Sequence, residues 1–213
     1  DSVMHILAAV SAFHPSYTSG ENGAAIVALV CKQLKMGGCG ELSPHGIQSC
    51  LCFLSNFCSP AWISEDSADM HKEDATRVLS IVRQDGLISL ISLVCLPQHL
   101  DMSNTWAQQQ VWKGYSQLGG GSGIEQSNNV VARMLGYMGQ ILRSILSHIG
   151  VVPNSSETQA ALDVIYRTQL IQCLVEAIRN FGPMLNDNTV ANLAHILSEL
   201  VLTSSRFMAK FTE

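Results

Sequence analysis

The stretch Cys50-Leu51-Cys52-Phe53-Leu54-Ser55-Asn56-Phe57 decides how this chain is read, because its pattern recurs. Val111-Trp112-Lys113-Gly114-Tyr115-Ser116-Gln117-Leu118 repeats it, and Leu193-Ala194-His195-Ile196-Leu197-Ser198-Glu199-Leu200 repeats it again. Each has apolar residues four apart, then a serine, an amide or acid, and a closing apolar residue. That spacing belongs to one face of a helix. A shorter apolar helix precedes each, at 26–30, 87–94 and 170–178. Leu29 stands 27 residues before Asn56, Leu90 stands 27 before Gln117, and Leu174 stands 25 before Glu199. A short apolar helix cannot bury itself alone. It packs on the longer helix that follows, and the pair stacks on the next pair. From Asn56 to Gln117 is 61 residues and from Gln117 to Glu199 is 82, so further helices lie between the units.

Outward from these units, helical periodicity runs almost throughout, and no stretch sustains the alternation of a strand. Helices are predicted over 3–13, ended by Pro15, and over 24–36, stopped by Gly37-Gly38. Ser43-Pro44 supplies an N-cap and a proline at the first helical position for a helix reaching 58, before Pro60. Helices over 67–83, 87–96 and 103–118 follow, separated by Asp85-Gly86 and Pro97. A long one over 126–149 is broken by Pro153. Its Gly136 and Gly139, three apart on one face, allow a close helix approach or a kink. Ser156 is expected to cap a helix that reaches 180 and ends at Gly182-Pro183. Asp187 or Asn188 caps one reaching 204, and a last helix begins near Ser205. The chain is therefore read as all-α, with about nine or ten helices in an α-solenoid. Several are apolar around much of their circumference, which requires burial on two sides.

Composition narrows the classes. Hydrophobic residues make up 47% of the 213 and charged residues 14%, which excludes a disordered region. No apolar run reaches the roughly 18 residues of a membrane span. With 12 basic residues against 17 acidic and a net charge of -5, the chain lacks the footprint of a phosphate-backbone binder. Cys31, Cys39, Cys50, Cys52, Cys58, Cys95 and Cys173 are odd in number and sit mostly in apolar helical runs. They read as reduced thiols acting as small hydrophobes, hence an intracellular protein of the cytoplasm or nucleus. The sequon Asn154-Ser155-Ser156 is read as chance in that setting. Gly119-Gly120-Gly121-Ser122-Gly123 has flexible-linker composition, and we read it as an engineered replacement for a loop. It divides one helical-repeat domain into parts at 1–118 and 124–213. Both chain ends suggest a piece of a larger protein.

Two segments carry a family resemblance. Gln84-Asp85-Gly86-Leu87-Ile88-Ser89-Leu90-Ile91-Ser92-Leu93 resembles the second helix of an armadillo repeat, which opens after a glycine with a Leu-rich run. Leu54-Ser55-Asn56-Phe57 resembles the Leu-Ser-Asn-Leu end of its third helix. The resemblance to the armadillo/HEAT-like family covers three units, about half of the chain. It implies an α-solenoid that serves as a protein-binding scaffold. In peptide-binding members the third-helix asparagine grips the backbone of an extended peptide, and Asn56 matches that position. Gln117 and Glu199 depart from it, and the aromatic usually found one turn earlier is replaced by Cys52, Lys113 and His195. Those departures speak against a groove of the nuclear-import kind.

Other candidates resolve into structural readings. His45, Cys50, Cys52 and Cys58 hold metal-ligand chemistry, but Cys50 and Cys52 point about 200° apart on a helix and cannot close one tetrahedral site. Asp69, His71, Glu73 and Asp74, clustered with Lys72, read as a solvated helix start with its acids near the positive dipole end, an acid-base pair being the sharper alternative. No nucleophile elbow, P-loop or dinucleotide fingerprint occurs, so no enzyme, cofactor or small-molecule substrate is expected. Arg133, Arg143, Arg167 and Arg179 read as surface arginines, with an acidic partner or nucleic acid as the sharper alternative. Trp112 and Tyr115, three apart, read as core, with a groove anchor as the alternative.

The expected function is binding another protein, as a helix or short linear segment laid into a solenoid groove, by complementarity alone. Asn56, Trp112, Gln117, His195 and Glu199 are the candidate partner-binding residues, the concave face being formed by the helices that carry them. A structural module packing against the rest of its own chain is the second reading. A nucleic-acid-binding helical repeat is the third.

Overall fold

The computed structural model describes residues 2–13, 20–37, 44–58, 78–79, 81–82, 87–88, 123–168, 170–181, 185 and 187–212. Seven helices and no strand occur among them. They are α1 (Ser2–Phe13), α2 (Gly20–Gly37), α3 (Pro44–Cys58), α4 (Gly123–Val151), α5 (Ser156–Arg167), α6 (Leu170–Phe181) and α7 (Asp187–Thr212). The predicted helices over 67–83, 87–96 and 103–118 lie almost wholly outside the described residues. Val78, Leu79, Ile81, Val82 and Leu87 are helical and buried, and Ile88 is helical.

α3 sits at the centre of the N-terminal half because its sequence leaves it no polar side long enough to face water. Ile47, Cys50, Leu51, Phe53, Leu54, Phe57 and Cys58 are all buried, and α3 packs against α1, α2 and α4. Phe53 and Phe57, one turn apart, stack with ring centroids 6.4 Å apart. α1 contributes Met4, Ala8 and Ser11 to this core, and α2 contributes Val27, Val30, Cys31 and Leu34. α4 buries Met134, Leu135, Met138, Ile141, Leu142, Ile145 and Ile149, a stripe wide enough to meet α3 on one side and α7 on another. α7 in turn packs on α6, and α6 on α5. An apolar helix packs on the helix after it twice, α2 on α3 and α6 on α7. The expected order of a shorter helix before a longer one holds for α6 and α7, of 12 and 26 residues, and fails for α2 and α3, of 18 and 15. The third such pair lies outside the described residues.

Three helix boundaries differ from the reading of the sequence. The helix expected over 156–180 is two, because Thr168 ends α5 with φ -89° and ψ 1°. Its hydroxyl donates to the Val164 carbonyl at 2.7 Å and to the Ile165 carbonyl at 3.3 Å, satisfying the carbonyls that a continuing helix would use. Neither glycine nor proline marks the break. The N-cap of α5 is Ser155 and not Ser156: the Thr158 backbone N–H donates to Ser155 Oγ at 3.0 Å. In the last helix no boundary occurs at Ser204-Ser205; α7 runs through to Thr212, since nothing between Asp187 and Thr212 is a glycine or a proline. Gly123, the last residue of the Gly/Ser tract, is the first residue of α4, so the tract is not wholly a linker.

The cysteines also divide. Cys31, Cys50, Cys52 and Cys58 are not disulfide-bonded, as expected. Cys173 is disulfide-bonded, and its partner lies outside the described residues, so the expectation of seven reduced thiols fails there. No helix among the described residues is long and apolar enough to cross a membrane.

Candidate functional site

Gly136, Gln140, Arg143 and Ser147 of α4 share one face of the helix at spacings of three and four. Two clefts flank that face. The first lies between α4 and α7 and encloses about 600 Å³. Gly136, Gln140 and Arg143 line it from α4, and Asn188, Thr189, Ala191, Asn192 and His195 line it from α7. The second, of about 340 Å³, lies between α3 and α4 and is lined by Ser55, Asn56, Gln140, Arg143, Ser144, Ser147 and His148. Gln140 and Arg143 belong to both, so the α4 face is the ridge between two adjoining clefts.

Gly139 sets the width of the first cleft. A Cβ there would stand 3.1 Å from Asn192 Nδ2, 3.5 Å from Ile196 Cδ1 and 3.6 Å from Leu193 Cδ2, so α7 crosses α4 at that glycine. Gly136 has no neighbour within 4 Å of its would-be Cβ and opens onto the cleft. Of the two roles foreseen for these glycines, close approach belongs to Gly139.

The second cleft is built by hydrogen bonds between α3 and α4. Ser55 Oγ donates to Gln140 Oε1 at 2.5 Å, and Ser144 Oγ donates to the Cys58 carbonyl at 2.5 Å. His148, buried, holds Nδ1 2.6 Å from the Ser144 carbonyl. Deeper between the helices, burial and then the neighbouring Cys52 push the Tyr137 hydroxyl above its ordinary pKa, and Arg133 opposes them. Burial, and then Cys31, push the Cys50 thiol up to about 12. Neither thiol nor phenol is activated by these surroundings.

Asn56 does not reach freely into solvent. Its Nδ2 donates to Ser11 Oγ at 3.1 Å, with longer contacts to the Ala8 carbonyl at 3.4 Å and Cys52 Sγ at 3.8 Å. The amide that the family resemblance assigns to a bound peptide is engaged with α1. His195 is exposed and lines the α4–α7 cleft. Glu199, also exposed, stands one turn further along α7 and is not in the lining. Trp112 and Gln117 lie outside the described residues, as do Trp62, Trp106, Tyr115 and the acidic cluster at 69–74. The structure therefore brings Asn56 and His195 to neighbouring clefts, on either side of Gln140 and Arg143.

Gln140 was not singled out from the sequence, although a polar residue within the apolar run of α4 was a signal for it. Arg143 was, within a set that the fold disperses: Arg133 and Arg143 are on α4, Arg167 on α5 and Arg179 on α6. Arg167 pairs with Asp163 one turn back at 2.8 Å. Among the described residues the Arg143 guanidinium has no such partner. No group of three or more His, Cys, Asp or Glu side chains gathers among the described residues.

Comparison with known protein families, curated proteins and solved structures finds no match to this chain.

Proposed function

We propose that this protein is an interaction scaffold, an armadillo/HEAT-like stack of helices that takes a segment of another protein into the cleft between α4 and α7. The observation that carries the reading is the lining of that cleft. Gln140, its oxygen already accepting from Ser55, and Asn188 and Asn192 present amide side chains, and Arg143 and His195 present donors, on two helices that cross at Gly139. Amides carry both a donor and an acceptor and match the backbone of an extended segment. The described lining of this cleft offers binding groups carried on two helices. In the adjoining cleft Ser144 Oγ lies 3.4 Å from His148 Nδ1, but its hydroxyl donates to the Cys58 carbonyl. Cys31, Cys50, Cys52 and Cys58, which are not disulfide-bonded, support a reducing, intracellular setting, and the Cys173 disulfide stands against a uniformly reducing one.

The test is a substitution that fills the cleft without touching the core. Gly136→Trp projects into open space and should leave the fold intact. A protein captured by the parent chain is then purified, and its binding is measured directly. Binding that protects 136–143 and 188–195 from hydrogen exchange, and that Gly136→Trp abolishes, supports the reading. Binding unaffected by Gly136→Trp rejects this cleft.

A structural module covered by other parts of its own chain is the second reading. The exposure of Val3 and Ile6 on α1 and of Val201 and Leu202 on α7 favours it, since isolated apolar faces of this size are normally covered. It predicts self-association of the isolated chain that substitutions at Val3 and Ile6 relieve.

A further inference from the structure

We infer that the segment taken by the α4–α7 cleft is acidic, with an Asp or Glu carboxylate held by Arg143. This rests on the scaffold reading above and names the chemistry of the partner. Three observations carry it. Among the described residues the lining includes a guanidinium and no carboxylate, in a chain whose net charge is -5. Arg143 has no acidic partner among the described residues, whereas exposed Arg167 is paired with Asp163. The acids nearest along α7, Asp187 in its first turn and Glu199 one turn beyond His195, are both left out of the lining. An exposed guanidinium in a concave, amide-lined site is the geometry that a carboxylate can meet bidentately.

A polynucleotide fits the same charge less well. A phosphate backbone needs several cations along its track, and among the described residues lining this cleft Arg143 is the one permanent cation. The amides of Gln140, Asn188 and Asn192 are better matched to peptide groups between the acidic residues.

The test uses a random 12-residue peptide library displayed on phage, selected on the whole chain, with Gly136→Trp protein as the counter-selection. Peptides lost on Gly136→Trp are the cleft binders. They should be enriched in Asp and Glu. Arg143→Gln should weaken a synthetic acidic binder by about tenfold, and Arg143→Glu should shift a fresh selection towards Lys and Arg. A labelled single-stranded oligonucleotide, measured in parallel, should bind no more tightly to the parent chain than to Arg143→Gln. Cleft binders with no acidic enrichment, or an acidic preference that Arg143→Gln leaves unchanged, would overturn the inference while leaving the scaffold reading in place. Failure to select any peptide that Gly136→Trp blocks removes both. Tight oligonucleotide binding that depends on Arg143 replaces the acidic segment by a nucleic acid.

Discussion

The backbone of Gly139 passes so close to Asn192 that a methyl group added to the glycine would stand 3.1 Å from the Asn192 Nδ2. Three residues earlier, Gly136 meets nothing within 4 Å. The two glycines share a helix and nearly a face, yet opposite outcomes are expected for them. Gly136→Ala should stabilise the protein by about 0.5–1 kcal/mol, the helix-propensity difference. Gly139→Leu should destabilise it by about 1–3 kcal/mol, because its four side-chain carbons cannot enter the crossing without moving α7. Urea unfolding of both variants checks the pair, and equal effects would show that α7 does not cross α4 there.

The start of α5 provides a sharper test of local structure. Ser155→Ala removes the acceptor of the Thr158 N–H and should cost about 1 kcal/mol. Ser156→Ala should cost almost nothing, since Ser156 is exposed and its hydroxyl donates to the Glu157 carboxylate rather than to the helix backbone. Reversal of that order in thermal melts would restore the cap to Ser156.

Asn56→Ala distinguishes a residue that holds α1 from one that holds a partner. The Ser11 hydroxyl keeps its bond to the Ala8 carbonyl at 2.7 Å when the amide is lost, so the cost should be modest, about 1 kcal/mol. It should appear as faster hydrogen exchange across α1, with binding in the α4–α7 cleft unchanged. Loss of binding without a change in α1 would return Asn56 to the role that the armadillo resemblance implies.

The buried Cys50 thiol makes stability depend on pH in the alkaline range. Its pKa rises from an ordinary 9.0 to about 12, chiefly through burial. The unfolded chain therefore loses this proton first. Stability from Cys50 is complete below pH 9 and falls as pH rises towards the folded pKa, by roughly 1.4 kcal/mol per unit at most. Cys50→Ala should flatten the alkaline limb of stability against pH. In the folded protein Cys50 should resist alkylation at pH 8, while denaturant should expose it.

Much of the helix map was legible because its determinants are local. Ser43-Pro44 and the apolar run before Pro60 describe α3 from end to end, and α3 is found at Pro44–Cys58. The break at Thr168 was not legible, because a threonine hydroxyl turning back on Val164 and Ile165 resembles, in sequence, any helical threonine. The site was legible in fragments: His195 and Arg143 were named, but Gln140 gains its meaning from Ser55, 85 residues away, and from α7 across the crossing.

By itself the sequence determined that the described residues are helical, and where α1 and α3 start and stop. Those properties depend on residues within a turn or two of each other. Only the tertiary structure decided that Asn56 belongs to Ser11, that Gly139 rather than Gly136 is the close approach, and that Arg143 stands beside amides with no acid among the described residues. Each is a contact between residues on different helices or a difference between two glycines alike in sequence, and periodicity carries no information about which faces meet.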